Sequence, residues 1–134
     1  MRKLTCALAV LALVAASGRA ADVEVPSINK RGDDEKAFAE KLANAIVKRA
    51  HETVKNITVE KFEKKMPKEG RTEYYIEAGY KGGVIGTKYT AKITIPIDTS
   101  NKEKWEVLRI DYSDNNRIPF SRKKVDETVK DLNR

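Results

Sequence analysis

His51 is the only histidine of the chain and Cys6 its only cysteine. A Cys-His nucleophilic pair needs both residues at one site, and a His-rich metal centre needs several ligands together. Cys6 falls in a leader-like stretch, so the rest of the chain can build neither. At helical spacing His51 neighbours Lys48 and Lys55, on the flank away from Phe38 and Leu42, which makes it a solvated surface histidine. Ser121-Arg122-Lys123-Lys124 has the Ser-x-x-Lys pattern, but its companion motifs are absent and a serine before an amphipathic stretch caps a helix. Asp111-Tyr112-Ser113-Asp114-Asn115-Asn116 gathers oxygen ligands as a calcium loop does. Its sixth position is Asn116, where glycine is needed, and its twelfth is Arg122, where a bidentate glutamate is needed. A strand-ending turn accounts for the same residues. These patterns lead to no expected metal, cofactor or catalytic residue.

Binding motifs fare similarly. Arg31-Gly32-Asp33 spells an adhesion tripeptide but is explained by a helix start, and Asn56-Ile57-Thr58 is a glycosylation sequon that matters only in a eukaryotic secretory route. Lys61, Lys64, Lys65 and Lys68 form one basic cluster, and Arg122, Lys123, Lys124 and Lys130 form another. Acids such as Glu60, Glu63, Glu69, Asp126 and Glu127 interleave them, as on an ordinary solvated face. Tyr74 and Tyr89 fall on the inward side of the strands described below, so they offer no stacking platform, and nucleic acid is not the expected partner.

Residues 1–20 resemble a secretory signal peptide. Arg2 and Lys3 precede an uncharged apolar run of 13 residues (4–16), and Gly18 and Ala20 supply small residues for cleavage near Ala20. The run is shorter than the roughly 20 residues that span a bilayer, so no transmembrane anchor is expected after cleavage. The expected destination is the periplasm or the extracellular space, and the brevity and alanine content of the leader lean bacterial. The leader holds three of the 27 bases and none of the 20 acids, so the chain beyond it carries +4 where the whole carries +7. About 114 residues without cysteine make one domain held by packing and hydrogen bonds alone.

The elements follow from pattern. Residues 21–32 form an extended arm, and a single domain occupies 33–134. Phe38, Leu42, Ile46, Ala50, Val54 and Ile57 recur at helical spacing, which predicts a helix over residues 34 to about 56, capped by an aspartate. Val59, Phe62 and Met66 fit a helical period too, but the segment ends on the turn signal Pro67-Lys68-Glu69-Gly70, and a strand is expected. Residues 71–94 alternate on both sides of Gly82-Gly83, which predicts a hairpin with a two-residue type I′ turn at the two glycines. That register pairs Tyr80 with Ile85, Ile76 with Tyr89 and Tyr74 with Ala91 on the apolar face, and Glu77 with Lys88 and Glu73 with Lys92 on the other. Pro96 cannot donate to a ladder, so pairing should weaken there. In the strand 105–112 the apolar parity changes between Val107 and Leu108, which calls for a bulge or for burial of both faces. Ser121 caps a final short helix with Val125, Val129 and Leu132 at i, i+4 and i+7. The fold class is therefore α+β: a long N-terminal helix packed on a four-stranded antiparallel meander, with a short C-terminal helix.

This order of elements, over roughly residues 33 to 113, resembles the cystatin-like and NTF2-like α+β rolls. The resemblance implies a concave site between helix and sheet, lined by Tyr74, Tyr89, Ile93, Ile110 and Tyr112, although core packing explains the same residues. An NTF2-like enzyme needs an ionisable group inside the roll, and only tyrosines and Thr72 or Thr87 are expected there. A cystatin inserts a Gln-x-Val-x-Gly hairpin into a protease. Gly82-Gly83-Val84-Ile85-Gly86 keeps the valine and final glycine but lacks the glutamine, and no Pro-Trp loop follows. The expected function is an exported, non-enzymatic binding or structural domain, whose partner would be another envelope or secreted protein. A small NTF2-like enzyme or ligand-pocket protein is the alternative, and a protease inhibitor the lesser one.

Overall fold

The computed structural model describes residues 23–51 and 53–134, so the expected leader lies outside the described residues. Helix α1 (Glu35–Ala50) and helix α2 (Arg122–Leu132) pack with an antiparallel sheet of strands β1 (Lys55–Lys68), β2 (Arg71–Gly82), β3 (Thr87–Asp98), β4 (Glu106–Val107) and β5 (Asp111–Asp114). β1, β2 and β3 pair in sequence order, and the short β4 and β5 both pair with β3, as one fourth strand broken in two. The fold is α+β, with a helix on an antiparallel sheet and a short C-terminal helix. The long helix is not N-terminal: residues 23–34 precede it, and Val25 and Ile28 of that arm are buried in the core.

α1 starts where its sequence says it should, with the Asp34 carboxylate accepting from Ala37 N–H. It ends at Ala50 rather than near Asn56. A helix running on to Asn56 would leave no chain in which to reverse direction before β1, so Val54 and Ile57 leave the helical stripe and enter the strand side. Phe38, Ala39, Leu42, Ala43, Ala45, Ile46, Val47 and Ala50 are buried, and the small residues among them let the helix axis lie close to the sheet.

The central hairpin keeps its predicted faces but not its predicted register. Gly82 pairs with Thr87, and the loop is Gly83-Val84-Ile85-Gly86, with positive φ at Gly83 (75°) and Gly86 (69°) and not at Gly82. The return strand slides by four residues, an even number, so every side chain stays on its face. Tyr80 now opposes Tyr89, Ile76 opposes Ile93, Tyr74 opposes Ile95 and Thr72 opposes Ile97. With the turn at Gly82-Gly83, Ile95 and Ile97 would overhang the Lys68–Arg71 turn with no β2 residue beside them. The observed register leaves Val84 and Ile85 in water and brings both isoleucines into the sheet interior, fully buried. Of the two expected charge pairs, Glu77 still meets a lysine, now Lys92, while Glu73 faces Pro96.

The change of parity at Val107-Leu108 has a structural counterpart. Val107 opposes Ile97 and Asp111 opposes Thr94, so residues 108–110 face only residues 95–96 and one residue is extra. This bulge lets Val107 and Ile110 both turn inward while Leu108 stays outside. Two asparagines satisfy the backbone of the segment just before the bulge. Asn29 of the arm accepts from Trp105 N–H (2.8 Å) and donates to Trp105 C=O (3.2 Å), and Asn133 does the same for Val107 (2.6 and 2.9 Å). The Arg31 guanidinium covers the Trp105 ring at 3.4 Å from its centroid.

Gly83→Ala and Gly86→Ala should each lower the unfolding free energy by about 1 kcal/mol, because a Cβ makes the left-handed conformation costly. Urea unfolding measures this. Gly82→Ala would instead press on the Tyr89 ring, which lies 3.3 Å from the position of the added carbon. Losses at Gly82 and Gly83 with none at Gly86 would restore the two-residue turn.

Candidate functional site

Side-chain chemistry concentrates at the end of the sheet beneath the C-terminus of α1. α1 stops at Ala50, and His51 has an extended backbone (φ −138°, ψ 121°) that turns its ring from the helix surface into the fold. The ring stacks on Tyr80 of β2, with centroids 5.5 Å apart, and its Nε2 donates to Asp114 Oδ2 at 2.8 Å. The His51 and Asp114 side chains are only 4% and 3% exposed. His51 is thus not the solvated surface residue expected from its helical neighbours, since that expectation placed it one turn inside a helix that has already ended.

Asp114, the last residue of β5, gathers further donors. Tyr80 Oη (2.8 Å) and Tyr112 Oη (2.7 Å) donate to the same Oδ2, and the Asn116 N–H (2.7 Å) donates to Oδ1. Asn116 Nδ2 closes the ring on Tyr80 Oη at 3.3 Å. Burial alone would raise the Asp114 pKa, but the bonds from His51, Tyr112, Tyr80 and the Asn116 amide outweigh it and hold the carboxyl below the ordinary carboxylate range. Burial, and then the bond to the Asp114 carboxylate, raises both the Tyr80 and the Tyr112 hydroxyl well above the ordinary phenol value. With its proton acceptors filled, the carboxylate is a clasp joining helix end, central strand and edge strand. His51 Nδ1 is buried without a partner among the described residues.

Tyr112 also forms part of a wall. A cleft of about 780 Å³ opens between residues 108–114, the 116–120 loop and α2. Ile110, Tyr112, Ile118, Phe120, Val125 and Val129 give it apolar sides, and the Phe120 ring meets Tyr112 edge-on at 5.2 Å. Arg109, Arg117 and Arg122 stand around it with Asp111 and Asp126. Arg109 is tied to Asp111 at 3.1 Å, whereas Arg117 and Arg122 form no ion pair among the described residues. Among the described residues β5 pairs only with β3, so its other edge carries no strand there and borders this cleft.

Of the five residues expected to line a pocket, the structure brings two to this cleft, Ile110 and Tyr112. Tyr74 and Ile93 are core residues. The Tyr74 hydroxyl reaches Glu35 at 3.4 Å, and burial, helped by that carboxylate, raises its pKa to about 12. Tyr89 is half-buried beside a separate hollow near Lys81 and Lys88. Asp114 could have been found from alternation, since Ile110, Tyr112 and Asp114 share one face of a strand. An inward carboxylate needs donors, and the lone histidine and the inward tyrosines are the natural supply. Among the described residues no group of three His, Cys, Asp or Glu side chains is placed to hold a metal ion.

No family model, no curated protein and no solved structure matches this chain.

Asp114→Asn should destabilise the fold by about 3 kcal/mol, since an amide cannot accept from three donors and brings donors of its own. The sign of the pH dependence follows from the depressed pKa of the folded state. The stability contributed by Asp114 is present above the unfolded carboxyl pKa of about 3.9 and is lost as pH falls through the lower folded value. Denaturant titrations at neutral and acid pH should show this loss in the parent, and Asp114→Asn should flatten it. A parent curve already flat below pH about 4 would remove the clasp from the account of stability.

Proposed function

We propose that the chain is an exported binding domain that holds an extended segment of another envelope or secreted polypeptide in the cleft between β5 and α2. The observation that carries this reading is the edge of β5, unpaired among the described residues, that borders an apolar cleft. A strand edge offers backbone N–H and C=O groups to an incoming extended chain, and pockets beside it select alternate side chains. The opposite sheet edge is built differently. β1 is interrupted by three register shifts and bears Lys55, Lys61, Lys64, Lys65 and Lys68, the charge and irregularity that discourage strand addition. Arg117 and Arg122 favour a segment with a carboxylate next to its apolar residues. Export rests on the leader pattern, and no helix among the described residues is long and apolar enough to cross a membrane.

Binding is favoured over catalysis because the one buried carboxylate beside the cleft is already filled with donors, and the remaining His51 nitrogen, Nδ1, is buried and lies outside the cleft lining. A general base must have a free lone pair within reach of a substrate proton.

Peptide display on the full chain, followed by fluorescence anisotropy of the selected sequences, tests the reading. Extended sequences alternating apolar residues with at least one acid should emerge. Arg117→Glu with Arg122→Glu should weaken them about tenfold or more. Ile118→Ser, at a residue 63% exposed, should weaken them without changing the melting temperature. Selected peptides that bind equally to all three proteins would place the site elsewhere.

A further inference from the structure

The tip of the β2–β3 hairpin is built unlike the rest of the surface. Val84 and Ile85 are 104% and 89% exposed, adjacent, and held between Gly83 and Gly86 in a loop that projects past the last strand pair, Gly82 with Thr87. Nothing among the described residues covers either side chain, and the register could have avoided exposing them only by losing Ile95 and Ile97 from the sheet. Directly behind the tip, Lys55 of β1 opposes Lys81 of β2, and Lys81 opposes Lys88 of β3. Three lysines therefore stand side by side across three neighbouring strands. Like charges in opposed positions repel, and none of the three forms an ion pair among the described residues. Among the described residues, Glu60 lies on that face, with its carboxylate over Gly79 at the next pair on that face away from the tip. Other lysines are handled differently: Lys61 and Lys65 reach Glu63, Lys64 reaches Glu35, and Lys92 opposes Glu77.

We propose that this end of the sheet docks on an anionic phospholipid surface, with Val84 and Ile85 entering the headgroup boundary and Lys55, Lys81 and Lys88 lying against lipid phosphates and carboxylates. Two apolar side chains alone bind a bilayer weakly, and each lysine near an anionic leaflet adds a modest electrostatic attraction, so the two features act together and neither suffices. The glycines on either side leave the tip without bulk that would hold it off the surface. The cleft between β5 and α2 plays no part in this contact, so the two sites can fail independently.

Flotation of the full chain with phosphatidylcholine vesicles, with and without phosphatidylserine, tests the proposal. Any contribution of the leader is common to every protein compared. The parent should bind the serine-containing vesicles, and added salt should release it. Lys81→Gln with Lys88→Gln should lower the bound-to-free ratio about tenfold or more. Val84→Ser with Ile85→Ser should lower it to a similar degree and leave the melting temperature unchanged. Ile85→Trp supplies a reading of depth: bromine-labelled lipid should quench it well beyond the native Trp105, which lies at the far end of the sheet. Equal binding by parent and both double variants, or no binding by the parent, would overturn the proposal. So would a lysine-dependent affinity for heparin or an oligonucleotide with no effect of the serine substitutions, which would mark a site for soluble polyanions.

Discussion

One carboxylate fixes how the parts of this molecule meet. Asp114 ends β5, and its two oxygens accept from a residue just past α1, from the central strand β2, from its own strand, and from the turn that leads to α2. Taking a carboxylate out of water is tolerated only when charged or polar donors surround it, and each donor thereby becomes committed to one position. That commitment holds His51, the first residue past α1, in the interior. It also explains why the short β5, with only four residues of ladder, is held firmly enough to form one wall of a cleft.

The rest of the fourth strand is held by substitution of side chains for backbone. The bulge at 108–110 interrupts the ladder, and amide groups of Asn29 and Asn133, one near each end of the described chain, bind the backbone of Trp105 and Val107 just before it. Arg49 adds a tie between α1 and α2 through Asp131 at 2.8 Å and also donates to the Val23 carbonyl. The arm, the first helix and the last helix are thus fastened to one another around a sheet edge that is itself discontinuous. A sheet stabilised in this way can leave one side of β5 open without losing its register.

The two edges and the hairpin tip divide the surface by chemistry. The lysine-bearing, bulged β1 edge resists strand addition, the β5 edge opens on an apolar cleft, and the tip exposes two aliphatic side chains ahead of a row of lysines. Each arises from the same constraint, that the core face of β2 and β3 must be covered along its full length. Covering it brings Ile95 and Ile97 inside, expels Val84 and Ile85, and aligns Lys81 with Lys88.

The sequence by itself determined the class and the faces. Helical spacing marked α1 and α2, alternation marked β2 and β3, and the parity change at Val107-Leu108 called for a bulge or for burial of both faces, because these patterns are local consequences of periods 3.6 and 2, while β1 was marked by the turn signal that ends it rather than by its period. Tertiary structure alone decided the hairpin register, since a shift of four residues preserves parity and is invisible to an alternation pattern. It also decided where α1 stops, because the need to reverse the chain over the sheet outweighs a helical stripe that continues to Ile57. The joining of His51, Tyr80, Tyr112 and Asp114 was equally beyond local pattern. His51, Tyr80 and the Tyr112–Asp114 pair are distant from one another in sequence, and only the packing of helix end against two strands brings their polar atoms within 3 Å.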